Sequence, residues 1–397
     1  MGICFEATIE IRKILNLLLK MNVGIISMQR VCNKGSFLQA YGLKKMVESL
    51  GHHVEFVDYE VGKPLFGNSA DKRQYHILKV RNSFINLFIR CKWLRMFLPD
   101  SYRQIVIERD EYKKFIAKHL GVTDKMKYRT SVDALIIGSD EVFNCTQINP
   151  EVGYSPEIFG VNNKARKLLS YAASFGNTTY QKLADFGKVD ELKGFLTAFD
   201  SISVRDRNSS AVVEKLLGSK PEVNLDPVLM YDYMPTIKDE QIRKDYIIVY
   251  AYRSRITPEE AREIKAFAKR VGKKLISVSG QMDFCDEHLS LNPFECLNLY
   301  RHADYVITDT FHGTIFSIIN RKKFVTLIRE SKGSSYGNQE KLQDLLDRLG
   351  LQARSFSNGK DNLYERLSAD IDYEKVFDVI DTERKHTMKY LSTNLGL

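Results

Sequence analysis

The chain is short of the features that mark the simplest protein classes. Its six cysteines (Cys4, Cys32, Cys91, Cys145, Cys285 and Cys296) form no CxxC pair and no zinc-type spacing. That argues for a reducing compartment and against a structural metal. No apolar run reaches membrane-spanning length. The first twenty residues include Glu6, Glu10, Arg12 and Lys13 and lack a small-residue cleavage site, so no secretory signal is expected. Glu6 also stands where a myristoylation motif needs Ser or Thr. There is no low-complexity tract, no GxGxxG, no P-loop, no long Lys/Arg run and no repeating base-stacking pattern of aromatics.

What is present is a well-filled globular composition. With 397 residues, 44% hydrophobic and 27% charged, the chain has material for two domains with sizeable cores. The formal net charge of +9 suits anionic partners: nucleic acid, an anionic membrane surface or small anionic substrates. Without basic runs or interleaved aromatics, nucleic acid fits least.

The clearest local pattern runs from His302 to Val325. It predicts a strand over Tyr305–Thr308, a polar turn holding Asp309, Thr310, Phe311, His312 and Gly313, a helix over Thr314–Ile319 and a strand over Lys323–Ile328. Strand–turn–helix–strand units build parallel α/β sheets, whose ligands sit beyond the carboxyl ends of the strands and against helix N-termini. Further units begin at Met21 (MNVGIISM), at HHVEFVDYE, at DALIIGSDEVFN (133–144), at KLLSYAASFG (167–176), at FDSISVRDRNS (199–209) and before LDPVLM (225–230). Asn33, Lys34, Gly35 and Ser36 read as a turn, and Phe37 to Leu50 as a helix stopped by Gly51. DYIIVYAYRS (245–254) opens a second half. Residues before Met21 carry an amphipathic pattern (Ile11, Ile14, Leu15, Leu18), and Met21 itself is the expected native start.

Each strand-end group has two readings. His312 is a proton-transfer group beside an anion site, or a structural histidine. Arg205 and Arg207 capture carboxylate or phosphate, or pair with Asp206 and neighbouring acids. Asp140 or Glu141, in the loop Gly138-Ser139-Asp140-Glu141 with Asn144, orients a hydroxyl, or the loop caps a helix. Asn33 to Ser36 cradles an anion through backbone N–H groups, or is a plain turn. Lys332 and Lys341, flanking Gly333 to Gly337, border a substrate-covering loop or a solvated one. The segment Lys79–Leu98 mixes Arg81, Arg90, Lys92 and Arg95 with Phe84, Leu87, Phe88, Trp93 and Phe97. Packing on the domain is the favoured reading, and rest on an anionic membrane the alternative.

Together, NKGSFLQAYGL, IIGSDEVFN, YAASFG, SVRDRNS, LDPVL and ADYVITDTFHGTIFSIINRKKFV resemble the polysaccharide pyruvyl transferase family, in the family's order over roughly residues 22–350. Lys34, Glu141 and Phe143 depart from its more usual aromatic, glutamine and tryptophan. The resemblance implies two Rossmann-like domains facing across a cleft, similar to GT-B glycosyltransferases. It implies phosphoenolpyruvate as donor, a sugar as acceptor, a cyclic pyruvate ketal as product and no cofactor or metal. It places His312 and Arg205 at the donor site with Thr310, Phe311 and Gly313. Asn33, Ser36, Ser139, Asp140, Asn144 and Lys332 are the acceptor-side candidates, Asp140 also catalytic. The basic surplus suits an acceptor on a diphosphate lipid, and a cytoplasmic protein at the inner face of the plasma membrane.

Competing readings are a GT-B glycosyltransferase with a nucleotide-sugar donor and a non-catalytic carbohydrate-binding scaffold. The expected division is an N-terminal extension (1–21), an acceptor-side domain with Arg205 (22–235), a second domain with His312 (236–355) and C-terminal helices (356–397) that cross back.

Overall fold

The computed structural model describes residues 20–123, 126, 128, 131–240, 243–252, 255–278, 280–329, 339–357, 359 and 361–396. The amphipathic pattern before Met21 and the loop with Lys332 lie outside the described residues.

Short, continuously apolar segments form the strands, as sheets covered on both faces require. In the first half β1 (Asn22–Ile26), β2 (His53–Phe56), β3 (Ala134–Ile137) and β4 (Lys167–Ser170) make a parallel sheet in the order β2-β1-β3-β4. Val23 pairs with Val54 on one side and Ala134 on the other. The strands β5 (Ser203–Val204) and β6 (Glu222–Val223) form a parallel pair, and β5 runs alongside β4 through parallel bridges (Leu169 with Ser201, Ala173 with Val204) and backbone hydrogen bonds such as Ser170 N–H to the Ser201 carbonyl and Arg205 N–H to the Ala173 carbonyl. The first-half strand ends, including the one that carries Arg205, therefore lie along one side of the four-stranded sheet and the pair that continues it.

The second half is a six-stranded parallel sheet, β12-β11-β10-β7-β8-β9. Its strands are β7 (Tyr246–Tyr250), β8 (Lys274–Ser277), β9 (Glu287–His288), β10 (Tyr305–Thr308), β11 (Lys323–Leu327) and β12 (Ser355–Phe356). The two Rossmann-like halves face each other across a cleft. One hydrophobic core runs through both, joining Val23 and Phe37 of the first half to Ile248 and Phe316 of the second.

Two helices start earlier than their sequence pattern predicts. Helix α1 spans Lys34–Ser49, because the Asn33 side chain accepts hydrogen bonds from the N–H groups of Gly35 and Ser36. The supposed turn at Lys34 to Ser36 is thus the first helical turn. Two long helices, α2 (Ser69–Arg90) and α3 (Asp100–Leu120), form a hairpin inserted between β2 and β3. Helix α4 spans Phe311–Ile319, with Thr310 as its cap accepting from Gly313 N–H, so His312 stands in the helix, not ahead of it. Helices α5 (Gln339–Arg348) and α6 (Tyr373–Leu395) follow. Helix α6 crosses back onto the first half: Tyr390 donates to the Ser170 carbonyl at 2.8 Å, and the Lys167 ammonium donates to the Asn394 carbonyl at 2.8 Å.

The favoured packing reading of Lys79–Leu98 needs correction. Ile85 and Phe88 pack with Leu98 and Val106 in a small core inside the hairpin. Ile77, Val80, Phe84 and Leu87 along α2, and Trp93, Met96 and Phe97 at its turn, stand in solvent. Phe84 still touches Phe88, but the outer side of that stripe is open to solvent.

Candidate active site between the two domains

The carboxyl end of β10 and the N-terminus of α1 point at each other across the interdomain gap. Gly35 makes the approach possible. A Cβ built there would lie 2.1 Å from His312 Nδ1, so only a bare backbone lets the imidazole in. Gly313 serves α4 similarly. A Cβ there would lie 2.2 Å from Thr308 Oγ1, so this glycine permits packing of α4 on β10 and does not itself reach the cleft.

The two domains meet on a carboxylate. Asp226, wholly buried at the start of the segment DPVLM, receives the Arg205 guanidinium at 2.7 Å and faces His312 Nε2 at 3.5 Å. The second separation is an ion-pair distance, and Nε2 makes no formed hydrogen bond. Burial alone would raise the Asp226 pKa, but His312 and Arg205 overcome it and hold the group at about 2. Arg205 is disfavoured as a cation by burial, yet Asp226, Asp140 and Asp206 hold its pKa above the ordinary value. Its guanidinium lies over the Phe311 ring, 4.3 Å from the centroid. The imidazole thus has Nε2 toward a charged carboxylate and Nδ1 toward Gly35.

Around this centre lies a cleft of about 600 Å³, lined by both halves and by the α2–α3 hairpin. Among the expected residues, Asn33, Ser36, Asp140, Arg205, Thr310, Phe311 and His312 line it. Ser36 donates to Asp140 at 2.9 Å, and Arg205 stands 3.5 Å from the other oxygen of that carboxylate.

Other expectations change. Ser139 is fully buried with its hydroxyl bonded to the Ala172 carbonyl, and it does not line the cleft. Asn144 is likewise buried, spent on Glu141, Thr146 and Thr178. Neither offers a contact to an acceptor in this arrangement. Asn33 caps α1, so the N–H groups of Gly35 and Ser36 are already taken and form no anion cradle. Arg207 sits on the surface, paired with Asp344 and Asp347. Arg205 is no open hand for an anion: it is 4% exposed and bonded to Asp226. Lys332 lies outside the described residues.

Sequence reasoning missed Asp226, although it stands in the quoted segment LDPVL. An Asp-Pro step reads as a helix start, and the side chain indeed caps Val228 N–H while its other oxygen serves the site. Also missed were two cleft-lining cations, Arg255, which lies 3.8 Å from Asp309 and over the Tyr252 ring, and Arg109, which pairs with Glu151. The expected Lys341 and Glu141 meet across the gap at 2.9 Å. Burial pushes the Asp309 carboxyl above its usual value, with Arg255 opposing. With Lys34, Arg81 and Arg205 these cations outnumber the cleft's four acids (Glu108, Asp140, Glu141 and Asp309), a modest cationic excess that suits an anionic small molecule.

A family model described as polysaccharide pyruvyl transferase matches residues 33–331, well over half of the chain. No curated protein matches it. Among solved structures, the glycotransferase of kitacinnamycin is similar at a TM-score of 0.45 and 11% identity, covering 94% of this chain and 98% of that one. The S. aureus MnaA-UDP co-structure is similar at 0.45 and 12% identity, covering 95% and 93%. A putative UDP-N-acetylglucosamine 2-epimerase from Listeria monocytogenes is similar at 0.44 and 11% identity, covering 93% and 90%.

Proposed function

The chain belongs to the polysaccharide pyruvyl transferase family, and we propose that it moves the three-carbon unit of phosphoenolpyruvate onto two hydroxyls of one sugar residue. The product is a cyclic ketal, and phosphate is released. The observation that carries this reading is the meeting of Arg205 and His312, from opposite domains, on the buried Asp226.

An enol phosphate carbon is a poor electrophile until its methylene is protonated. Asp226, ionised at neutral pH, faces Nε2 at 3.5 Å. Nδ1 then delivers its proton to the methylene carbon, which becomes a methyl group. The central carbon takes oxocarbenium character and the first sugar hydroxyl adds to it, returning its proton to the ring. The C–O bond to phosphate breaks, the second hydroxyl closes the ring, and its proton leaves with phosphate. One proton ends on the methyl group and one on phosphate, so atoms and electrons balance without a metal or organic cofactor.

Arg205 acts here as a positioning cation that fixes Asp226. Arg255, Lys34 and Lys341 supply positive potential for the donor's phosphate and carboxylate. Asp140, held by Ser36, orients an acceptor hydroxyl. The acceptor class is a sugar of a surface or capsular polysaccharide precursor, worked on at the cytoplasmic side.

The test is to incubate the protein with sugar acceptors and either phosphoenolpyruvate or nucleotide sugars, following phosphate release and product mass. Ketal formed only with phosphoenolpyruvate is expected; turnover with a nucleotide sugar alone overturns the reading. His312→Ala is expected to lower kcat by roughly a hundredfold or more. Arg205→Ala separates its roles: a fall in kcat supports positioning through Asp226, whereas a rise in KM for phosphoenolpyruvate alone makes it a direct donor ligand.

A further inference from the structure

The α2–α3 hairpin carries a surface that the fold itself does not use. Along α2, Ile77, Val80, Phe84 and Leu87 recur at helical spacing and are all exposed. The stripe ends at the turn, where Trp93, Met96 and Phe97 are 68%, 70% and 71% exposed. Large apolar side chains grouped in solvent mark a docking site, and their tip position suits shallow insertion.

The charges around them select the partner. From Lys72 to Pro99 the chain has seven Lys and Arg residues and no Asp or Glu. Among the described residues, Lys72, Arg73, Arg81, Arg90 and Lys92 are exposed and form no ion pair. A second copy of this face would set cations against cations, which disfavours self-association. Exposed Trp and Phe interleaved with unpaired cations, with no acidic residue between, match the boundary between acyl chains and anionic headgroups. Long basic side chains there reach toward phosphate while their stems cover apolar surface.

We infer that the α2–α3 hairpin docks this protein on anionic phospholipid, with Trp93, Met96 and Phe97 inserted at the headgroup boundary and Arg90 and Lys92 on lipid phosphates. The same hairpin forms a wall of the cleft through Arg81, Phe84, Tyr102, Ile105 and Arg109. Docking therefore brings the cleft next to the lipid surface, where a sugar on a lipid carrier enters from the side. That acceptor assignment rests on the proposed function. The docking does not, because vesicle binding needs neither donor nor acceptor.

Trp93 is the chain's single tryptophan, so its fluorescence reports the tip directly. The full chain is mixed with vesicles of phosphatidylglycerol and phosphatidylcholine, or of phosphatidylcholine alone, and followed by sedimentation and Trp93 emission. Binding to the anionic vesicles with a blue-shifted emission, weakened by salt, is expected. The pairs Arg90→Glu with Lys92→Glu and Met96→Ala with Phe97→Ala should each weaken binding by about tenfold or more. Both pairs lie outside the cleft and should keep wild-type circular dichroism and turnover on a short soluble acceptor. Failure of the anionic vesicles to bind, or equal binding by both variants, overturns the proposal. So does a concentration-dependent dimer abolished by Met96→Ala with Phe97→Ala, which makes the face a self-interface. A hairpin that binds vesicles in a protein without ketal activity would retain the docking and discard only the acceptor assignment.

Discussion

A carboxylate with a guanidinium on one side and an imidazole on the other stays charged to low pH, and the protein's stability inherits that. The Asp226 pKa is depressed from 3.8 to about 2. A depressed group adds stability that is fully present above its unfolded pKa and is lost as pH falls through its folded pKa. The Asp226 contribution, roughly 2 kcal/mol from the size of the shift, is therefore present at pH 4 and gone near pH 2. Asp226→Asn should lose that acid-limb dependence. Urea midpoints of wild type and variant, measured between pH 4 and 2, should converge as pH falls; a constant difference would remove Asp226 from its charged pairing. At neutral pH the variant strands the buried Arg205 charge with only the longer contact to Asp140, and a loss of about 3 kcal/mol is expected there. The residues that met in space, His312 and Arg205, were legible because each sits in a short motif at a strand end. Asp226 was not: its Asp-Pro step announces a cap, and nothing local says that the other oxygen looks into a cleft.

Helix starts carry the site, and they are where pattern reading was least accurate. Asn33 and Thr310 are caps, and a cap residue resembles a turn residue because both bond their own backbone a few residues on. The apolar periodicity of each helix becomes visible only after its first turn, where Lys34, Ser36 and His312 line the cleft. Strands, by contrast, were read nearly to their ends, since a strand covered on both faces leaves a continuous apolar run: Tyr305–Thr308 matches, and Lys323 ends one residue short at Leu327. The α2–α3 hairpin misled for the opposite reason, because an apolar stripe shows that a face wants cover without saying what covers it. The approach of α1 to α4 yields a sharp test. Gly35→Ala places a methyl group against Nδ1, the nitrogen assigned to proton delivery. Turnover should fall by about a hundredfold, as a displaced catalytic group commonly costs, while the thermal midpoint changes little if the imidazole swings away. Normal turnover would show that Nδ1 is not the donor. Gly313→Ala meets Thr308 and Thr310 hydroxyls inside the fold instead, so it should destabilise by about 1–3 kcal/mol, read from urea unfolding.

At the scale of the whole molecule, the largest core cluster does not stop at the cleft. Strand residues of both sheets, α1 and the last helix share a single hydrophobic cluster, and α6 contributes Val376, Ile380, Tyr390, Leu391 and Leu395 to it. Polar ties reinforce the same crossing: Thr387 bonds Asn224 and Tyr171, and Tyr390 bonds the Ser170 carbonyl at the end of β4. A strap that begins after the second sheet and ends on the first couples the stability of both halves, and it holds Asp226, two residues after Asn224, in register with His312. Leu391→Ala opens a cavity in the shared cluster and should cost about 2–5 kcal/mol. Tyr390→Phe leaves the Ser170 carbonyl without this donor and should cost about 1–2 kcal/mol. Because the cluster is common to both halves, each variant should shift the entire urea transition, followed by circular dichroism, to lower denaturant as a single step. A transition that splits, with one half still melting at the wild-type midpoint, would mean that the halves fold independently and that the crossing helix only rests on the first.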